Sequence, residues 1–452
     1  MAILPQPALF GWDEIEAASD LDRLALVLAG LPDEALMVAL ERRRGLGRND
    51  YPVRAVWNAL LAGLVFEHDS IEALRRELSR NAQLRALCGF DLARGQGAVP
   101  PAWAFSRFLA VLLAHEDLVR AVFAALVATL AEALPDLGQT LAADGKALAS
   151  LAPRAGRDTR RADGQPDRRA EHDATWGRKT YRGTRADGTP WEKVVHWFGF
   201  QVLLLVDSRH ELPVNYEVTT ASCPEVNRLL PLVADTARAQ PTVVERCGEL
   251  AADKGYDAGY NYAGLWAEWR IKPVLAKRND WQDGERTRAL ADFDNAVYDQ
   301  QGRVFCVCPR TGVERAMAPW GFDARRACVK YRCPAVVGGW ECAGRGLCAR
   351  GQSAYGKVVR IPLARDPRTF VPLPRDSRAW AEAYARRTAA ERVNSRLDCL
   401  LGFERHTVRG LAKMTLRVGL ALVVLLAMAL GRLRVGQPEL LRSIRAPVAR
   451  GA

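Results

Sequence analysis

The hydrophobic pattern changes its period at Gly138, and this break constrains the fold more than any other feature of the chain. Before it, apolar residues recur at helical spacing. In SIEALRREL, Ile71, Leu74 and Leu78 fall on one face, and Ser70 stands where it can cap the first turn. Pro52 opens VRAVWNALLAGLVF at the position where proline suits a helix start. Pro100 and Pro101 precede a third helix predicted from about Ala104 to Leu134. Residues 1–135 therefore read as a helical N-terminal domain. After the break, QTLAAD, HWFGFQVLLLVDS, LPVNYEVTTA, GELAAD and IKPVLAKR have the length and branching of strands. Pro224–Ala239 and Gly259–Arg270 read as helices between them. An α/β domain is expected over 136–278, resuming at 357–435 with the strand VVRIPL, a long helix from about Ser377 to Leu400 and an apolar C-terminal helix.

Two segments interrupt this pattern. Residues 152–193 are almost devoid of aliphatic side chains, and 151–195 hold 11 basic and 7 acidic residues. Such a stretch cannot bury a core, so a basic mobile loop is predicted there. Residues 279–356 carry six of the ten cysteines and form a second insertion, and 436–452 are predicted to be a flexible tail. No internal repeat is present.

Charge narrows the partners. The chain carries 64 basic against 52 acidic residues, net +12. From Arg375 onward 15 basic residues face 6 acidic ones, so most of the excess lies at one end. This favours a polyanion, with nucleic acid first and an anionic membrane surface second. Only nine of the basic residues are lysine. Arginine forks suit phosphate, although a GC-rich genome yields the same bias. The most apolar run, Val418–Leu430, has 13 residues, short of the ~20 that a bilayer crossing needs, and reads as a buried helix. The N-terminal residues lack the pattern of a secretory signal, so a cytoplasmic, nucleoid-associated protein with no membrane partner is expected. Its cysteines then read as thiols or metal ligands rather than disulfides.

Three acidic residues stand out by setting. Asp144 ends the run TLAAD before GKAL, Asp253 repeats that arrangement in GELAADKGYD, and Glu391 lies within YARRTAAERVNSRLD. Taken singly, a strand-end aspartate is a turn former and a mid-helix glutamate a solvated face. Together, carboxylates on separate strands and a packed helix can converge as hard divalent cations require. Asp257 is an alternative to Asp253. At 100° per residue Tyr384, Arg387, Glu391 and Asp398 share one helix face, within an arc of roughly 60°.

DGKAL after a strand, then ADKGYD, then Y-x2-R-x3-E, in that order, strongly resembles the DDE transposases of bacterial insertion sequences. The resemblance covers most of the chain: GFQVLLLVDSRHELPVNYEVTTASCPEVNRLLPL is similar to their catalytic strands, and the helical N-terminal portion to the domain that precedes them. It implies an RNase H-like mixed sheet flanked by helices, an all-α N-terminal DNA-binding domain, and a catalytic triad of Asp144, Asp253 and Glu391 holding Mg²⁺, with Mn²⁺ as a substitute. Tyr384 and Arg387 are implied DNA contacts. Where the signature expects lysine the chain has Asp398. The implied reaction is metal-dependent cleavage and transfer of DNA strands at terminal inverted repeats, with transposon-end and target DNA as partners and a homodimer in the synaptic complex. Two alternatives stand beside it: a domesticated or decayed relative that binds DNA without cutting, and a metal-dependent nuclease of the same fold.

In the insertion, Cys306-x-Cys308, Cys328-x4-Cys333 and Cys342-x5-Cys348 offer ligands for Zn²⁺, though no pair has the knuckle spacing, and reduced thiols are the alternative. Trp320 and Trp340 are candidates for stacking on a flipped base, or are structural. The six histidines show no paired metal-ligand spacing.

Overall fold

The computed structural model describes residues 20–46, 49–154, 170–348 and 353–448. Among the described residues, seven helices precede the sheet: Leu21–Gly30, Glu34–Arg44, Val53–Val65, Ile71–Arg80, Ala82–Cys88, Ala102–Leu113 and Glu116–Ala133. Ser70 caps as expected, its hydroxyl accepting from the Ala73 amide at 3.2 Å. The long helix expected to Leu134 is two helices, because His115 leaves helical geometry at φ −126°, ψ 32°.

The mixed sheet is built from β1 (Thr140–Ala149), β2 (Thr175–Thr184), β3 (Pro190–Asp207), β4 (Leu212–Thr220), β5 (Glu249–Ala252) and β6 (Lys272–Leu275). β1 pairs antiparallel with β3 and parallel with β5, β5 pairs parallel with β6, and β4 pairs with β3. The spatial order β4-β3-β1-β5-β6, flanked by helices, is the expected RNase H-like α/β arrangement. Gly199 lets β1 and β3 meet closely, since a Cβ there would lie 2.1 Å from the Leu148 carbonyl oxygen.

Four expectations need correction. The segment expected to be a mobile loop over 152–193 contains β2 and the start of β3, which form a long hairpin; residues 155–169 of it lie outside the described residues. Trp176, Tyr181, Trp191 and Val194 are of the aromatic and β-branched types that favour strands, yet these side chains stay exposed, so no core signal marks them. The strand Val358–Pro362 pairs with Cys328–Arg332 inside the insertion rather than joining the large sheet. The insertion thus extends to about Phe370 around its own core of Leu290, Val304, Val329, Tyr331, Ile361 and Phe370. The tail is packed as far as residue 448: Arg432 is fully buried and donates to the Pro447 carbonyl at 2.8 Å, and Arg23 donates to that of Ile444 at 3.0 Å.

The fourth correction concerns the domain boundary at residue 135. The helix Leu411–Arg434 has the length and composition to cross a membrane, but its apolar stretch is buried inside the protein. It packs on Glu116–Ala133, on Leu21–Gly30 and on β4, so one continuous core runs from the N-terminal helices into the sheet.

Candidate active site

β1 and β5 run side by side in parallel register that ends at Ala143 opposite Ala252. One step further stand Asp144 and Asp253, and matched positions on parallel neighbours project to the same face. Asp144 is not at a strand end, because β1 continues to Ala149 on the β3 side. Gly145 accordingly opens no turn. It makes room: a Cβ there would lie 2.5 Å from the carboxyl carbon of Glu225, in the turn before the helix Leu229–Ala239. Asp253 turns the chain as the sequence suggests, its Oδ1 accepting from the Gly255 amide at 2.6 Å. Lys179 of β2 reaches in from the hairpin, 2.9 Å from Glu225 Oε1 and donating to the Gly145 carbonyl at 2.9 Å.

The predicted helix over Ser377–Leu400 is two, Arg378–Ala385 and Thr388–Leu401, with Arg386 and Arg387 at the join still right-handed helical. The shared face therefore survives the break. Asn394 donates from Nδ2 to Asp144 Oδ2 at 2.9 Å, and Asp398, one turn on, pairs with Lys146 of β1. The position where a lysine is expected thus carries an acid whose base stands on the neighbouring strand. Glu391 lies one turn earlier, half exposed, with Oε1 held 2.6 Å from Arg387 Nη1. Tyr384 stacks on Trp380 at 4.7 Å, leaving it half-buried. Asp144 and Asp253 are thus brought together, while Glu391 sits on the same helix face but ion-paired to Arg387. Among the described residues no three His, Cys, Asp or Glu side chains gather closely enough to hold one ion.

Burial pushes the Asp144 carboxyl up to about 6; the Lys179 ammonium opposes the rise and the carboxylates of Asp253 and Glu225 add to it. Three carboxylates and one ammonium leave excess negative charge in a partly covered site. The donor chemistry, oxygen only and anionic, fits a hard divalent cation. A first prediction follows from the signs. In metal-free protein the Asp144 side-chain ¹³C resonance titrates near pH 6, and removal of the Lys179 charge moves that midpoint up, since the lysine is what holds it down. A midpoint in the ordinary carboxylate range would contradict the burial of the site.

Asp257, the alternative to Asp253, has a structural role. Its burial is outweighed by hydrogen bonds from Arg368 Nη2 at 2.7 Å and the Arg278 amide at 2.7 Å, which hold its pKa low. Of the insertion cysteines, Cys306, Cys308, Cys333, Cys342 and Cys348 line one cavity of about 670 Å³, whereas Cys328 is buried in its strand away from that lining. Among the described residues no three of them are close enough to hold one ion, although Cys308 interacts with Cys342, and Cys306 feels the thiols of Cys348, Cys333 and Cys342. Trp320 and Trp340 are partly exposed beneath Arg332 and Arg315 respectively, at 4.5 and 4.6 Å.

Sequence reasoning missed Glu225, Lys179 and Asn394. Asn394 was within reach of it, since it falls three residues after Glu391 on the same face. Glu225 and Lys179 carry no local signal, because each acquires its meaning from strands distant in the chain.

The family pattern described as "Transposase DDE domain" matches residues 155–427. That span includes Asp253 and Glu391 and begins past Asp144, whose placement rests on the geometry above. No curated protein matches the chain. Among solved structures, the chain is similar to a piggyBac transposase in a synaptic complex with hairpin DNA, at 10% identity and TM-score 0.36, over 94% of this chain and 79% of that one.

Proposed function

Because the chain belongs to the transposase DDE domain family, we propose that it is an insertion-sequence transposase that binds terminal inverted repeats and cuts and joins DNA strands with Asp144, Asp253 and Glu391. The observation that carries this reading is the meeting of Asp144 and Asp253 beyond a parallel β1–β5 ladder, in an acidic centre whose nearest cation is a lysine. The residues fit Mg²⁺ or Mn²⁺ by donor chemistry. Asp144, Asp253 and Glu391 would hold such ions, whose chemistry would be activation of the attacking water or 3′-hydroxyl and stabilisation of the leaving 3′-oxygen. Asp144 and Asp253 fix the centre on strands that cannot shift independently. Asn394 orients the Asp144 carboxylate through its amide. Glu391 would complete the set on turning its carboxylate from Arg387, which would free the guanidinium for a DNA phosphate. No protein nucleophile is needed.

The basic excess after Arg375 and the N-terminal helices support end binding, and joining two ends calls for two copies of the site. Glu391 locked on Arg387 is the observation favouring a relative that binds without cutting. Incubating the protein with the inverted repeats that flank its gene separates the two. Cleavage at the repeat ends is expected in Mg²⁺ or Mn²⁺, lost on chelation and restored by adding the metal back. Binding with no cleavage in either metal would establish the non-cutting relative, and cleavage unaffected by chelation would overturn the metal reading.

A further inference from the structure

Lys179 has no place in the triad, yet it is the cation at its centre. It stands in β2, paired with Val195 of β3, and its side chain is 32% exposed. Its partner Glu225 is more covered still, with 13% of its side chain exposed. The cradle is shaped for that carboxylate. A Cβ on Gly145 would lie 2.5 Å from the Glu225 carboxyl carbon, and a Cβ on Gly255 would lie 3.3 Å from its Oε2 and 2.7 Å from Asp253 Oδ1. Two glycines, one in β1 and one beside β5, thus admit Glu225 between the two aspartates. The carboxylates of Asp144, Asp253 and Glu225 all act on the one ammonium.

Charge and position together have a consequence for metal entry. A lysine in contact with an acidic centre supplies part of the positive charge that a divalent ion would bring, and two cations close together in a partly covered site repel. Lys179 is also carried on the β2–β3 hairpin, which runs out beyond it with Tyr181, Trp191 and Val194 exposed. Asp257 shows what a permanently satisfied buried carboxylate looks like in this protein, with an arginine, a backbone amide and a tyrosine hydroxyl around it. Among the described residues Glu225 has Lys179 as its one side-chain partner.

We propose that Lys179, docked on Glu225, is a resident counter-ion that occupies the metal-free centre and must withdraw when a divalent cation binds, so that it sets the metal concentration at which the site fills. Glu225 is the positioning residue: it holds Lys179 while the centre is empty of metal and remains beside Asp253 as a further carboxylate once Lys179 leaves. The inference rests on the metal-binding reading of Asp144 and Asp253, and adds a regulation of that site.

The test measures Mn²⁺ binding to the full chain, by the loss of the free-ion electron paramagnetic resonance signal, with no DNA and no turnover. Lys179→Met keeps the aliphatic stem and removes the charge, and is expected to tighten Mn²⁺ binding by roughly tenfold. It should also lower the unfolding temperature of metal-free protein, with Mn²⁺ restoring more than it does in wild type. Lys179→Arg keeps the charge and is expected to bind Mn²⁺ no more tightly than wild type. If the methionine protein does not accumulate, Lys179→Gln makes the same comparison. Unchanged or weaker Mn²⁺ binding by the neutral variants, with Asp144-dependent binding in wild type, overturns this proposal and leaves the metal site standing. Mn²⁺ binding that is absent from wild type, or equal in wild type and Asp144→Asn, overturns the metal-site reading itself. If the neutral variants lose DNA binding with Mn²⁺ affinity unchanged, Lys179 is a phosphate contact and the proposal fails.

Discussion

Asp144→Asn is expected to lower metal-dependent strand cleavage by about 10³-fold or more, roughly 4 kcal/mol of transition-state stabilisation, while leaving binding to the terminal repeats intact. The substitution is nearly isosteric. The Asn394 amide can still donate to the oxygen that remains at position 144, and the flanking β3 and β5 pairings are backbone bonds that the change does not touch. What goes is one negative charge from the position that faces both Asp253 and Glu225. On the proposed reading end binding would rest on the basic part of the chain, so it should persist and weaken steeply with salt. A gel shift and a cleavage assay on the same repeat, in Mg²⁺, with wild type and variant side by side, read the two effects separately. Equal cleavage by both proteins would remove Asp144 from the active site.

The largest effect on stability is expected at Glu211, which stands in the β3–β4 turn with its side chain 4% exposed. Arg392 Nε donates to its Oε1 at 2.6 Å, Arg442 Nη1 lies 3.0 Å away, and Arg396 pairs with Oε2 and donates to the Glu211 carbonyl at 3.0 Å. Two of these arginines are half exposed and can be rehydrated. Arg396, with 11% of its side chain exposed, cannot. Glu211→Ala therefore leaves a buried guanidinium without its carboxylate, at a cost of about 3 kcal/mol or more. The turn residue has φ 56°, but alanine and glutamate tolerate that equally, so the strain does not change on substitution. Denaturant unfolding should show the midpoint falling with an unchanged slope, and Glu211→Gln, which keeps the shape and one of the two acceptor oxygens, should lose less. Arg392 and Arg396 belong to the helix that carries Asn394 and Glu391, so the alanine protein should also cleave more slowly than its folded fraction predicts. Unaltered stability would mean that the arginines find other partners.

What the residues foretold, and what they concealed, divides along physical lines. The strands β1, β3, β4, β5 and β6 and the helices between them were legible because each is apolar enough to be buried, and burial leaves a period in the sequence. The β2–β3 hairpin left none, since Trp176, Tyr181 and Trp191 stay exposed among charges and composition alone reads such a stretch as a loop. Asp144 and Asp253 could be singled out by local context, though for Asp144 the reason was mistaken: Gly145 looked like a turn and instead clears space for Glu225. Glu225, Lys179 and Glu211 were illegible because nothing within a few residues of them differs from ordinary surface charge. Their roles come from pairing across the fold, and a single chain does not record its pairings. The same limit hid the partner of Val358–Pro362 and the union of the N-terminal helices with the sheet.

The helix Leu411–Arg434 follows, in order of synthesis, almost everything it supports. The N-terminal helices are complete at Ala133, and the apolar surface on which they receive this helix then waits for the chain to be translated as far as Arg434. At ~5–20 residues per second that interval is on the order of a quarter of a minute to a minute. Throughout it, the faces of Leu21–Gly30 and Glu116–Ala133 that will meet the late helix stand open to solvent and to neighbouring nascent chains. Exposed apolar surface of this kind favours aggregation during synthesis, so a lower expression temperature should raise the soluble yield.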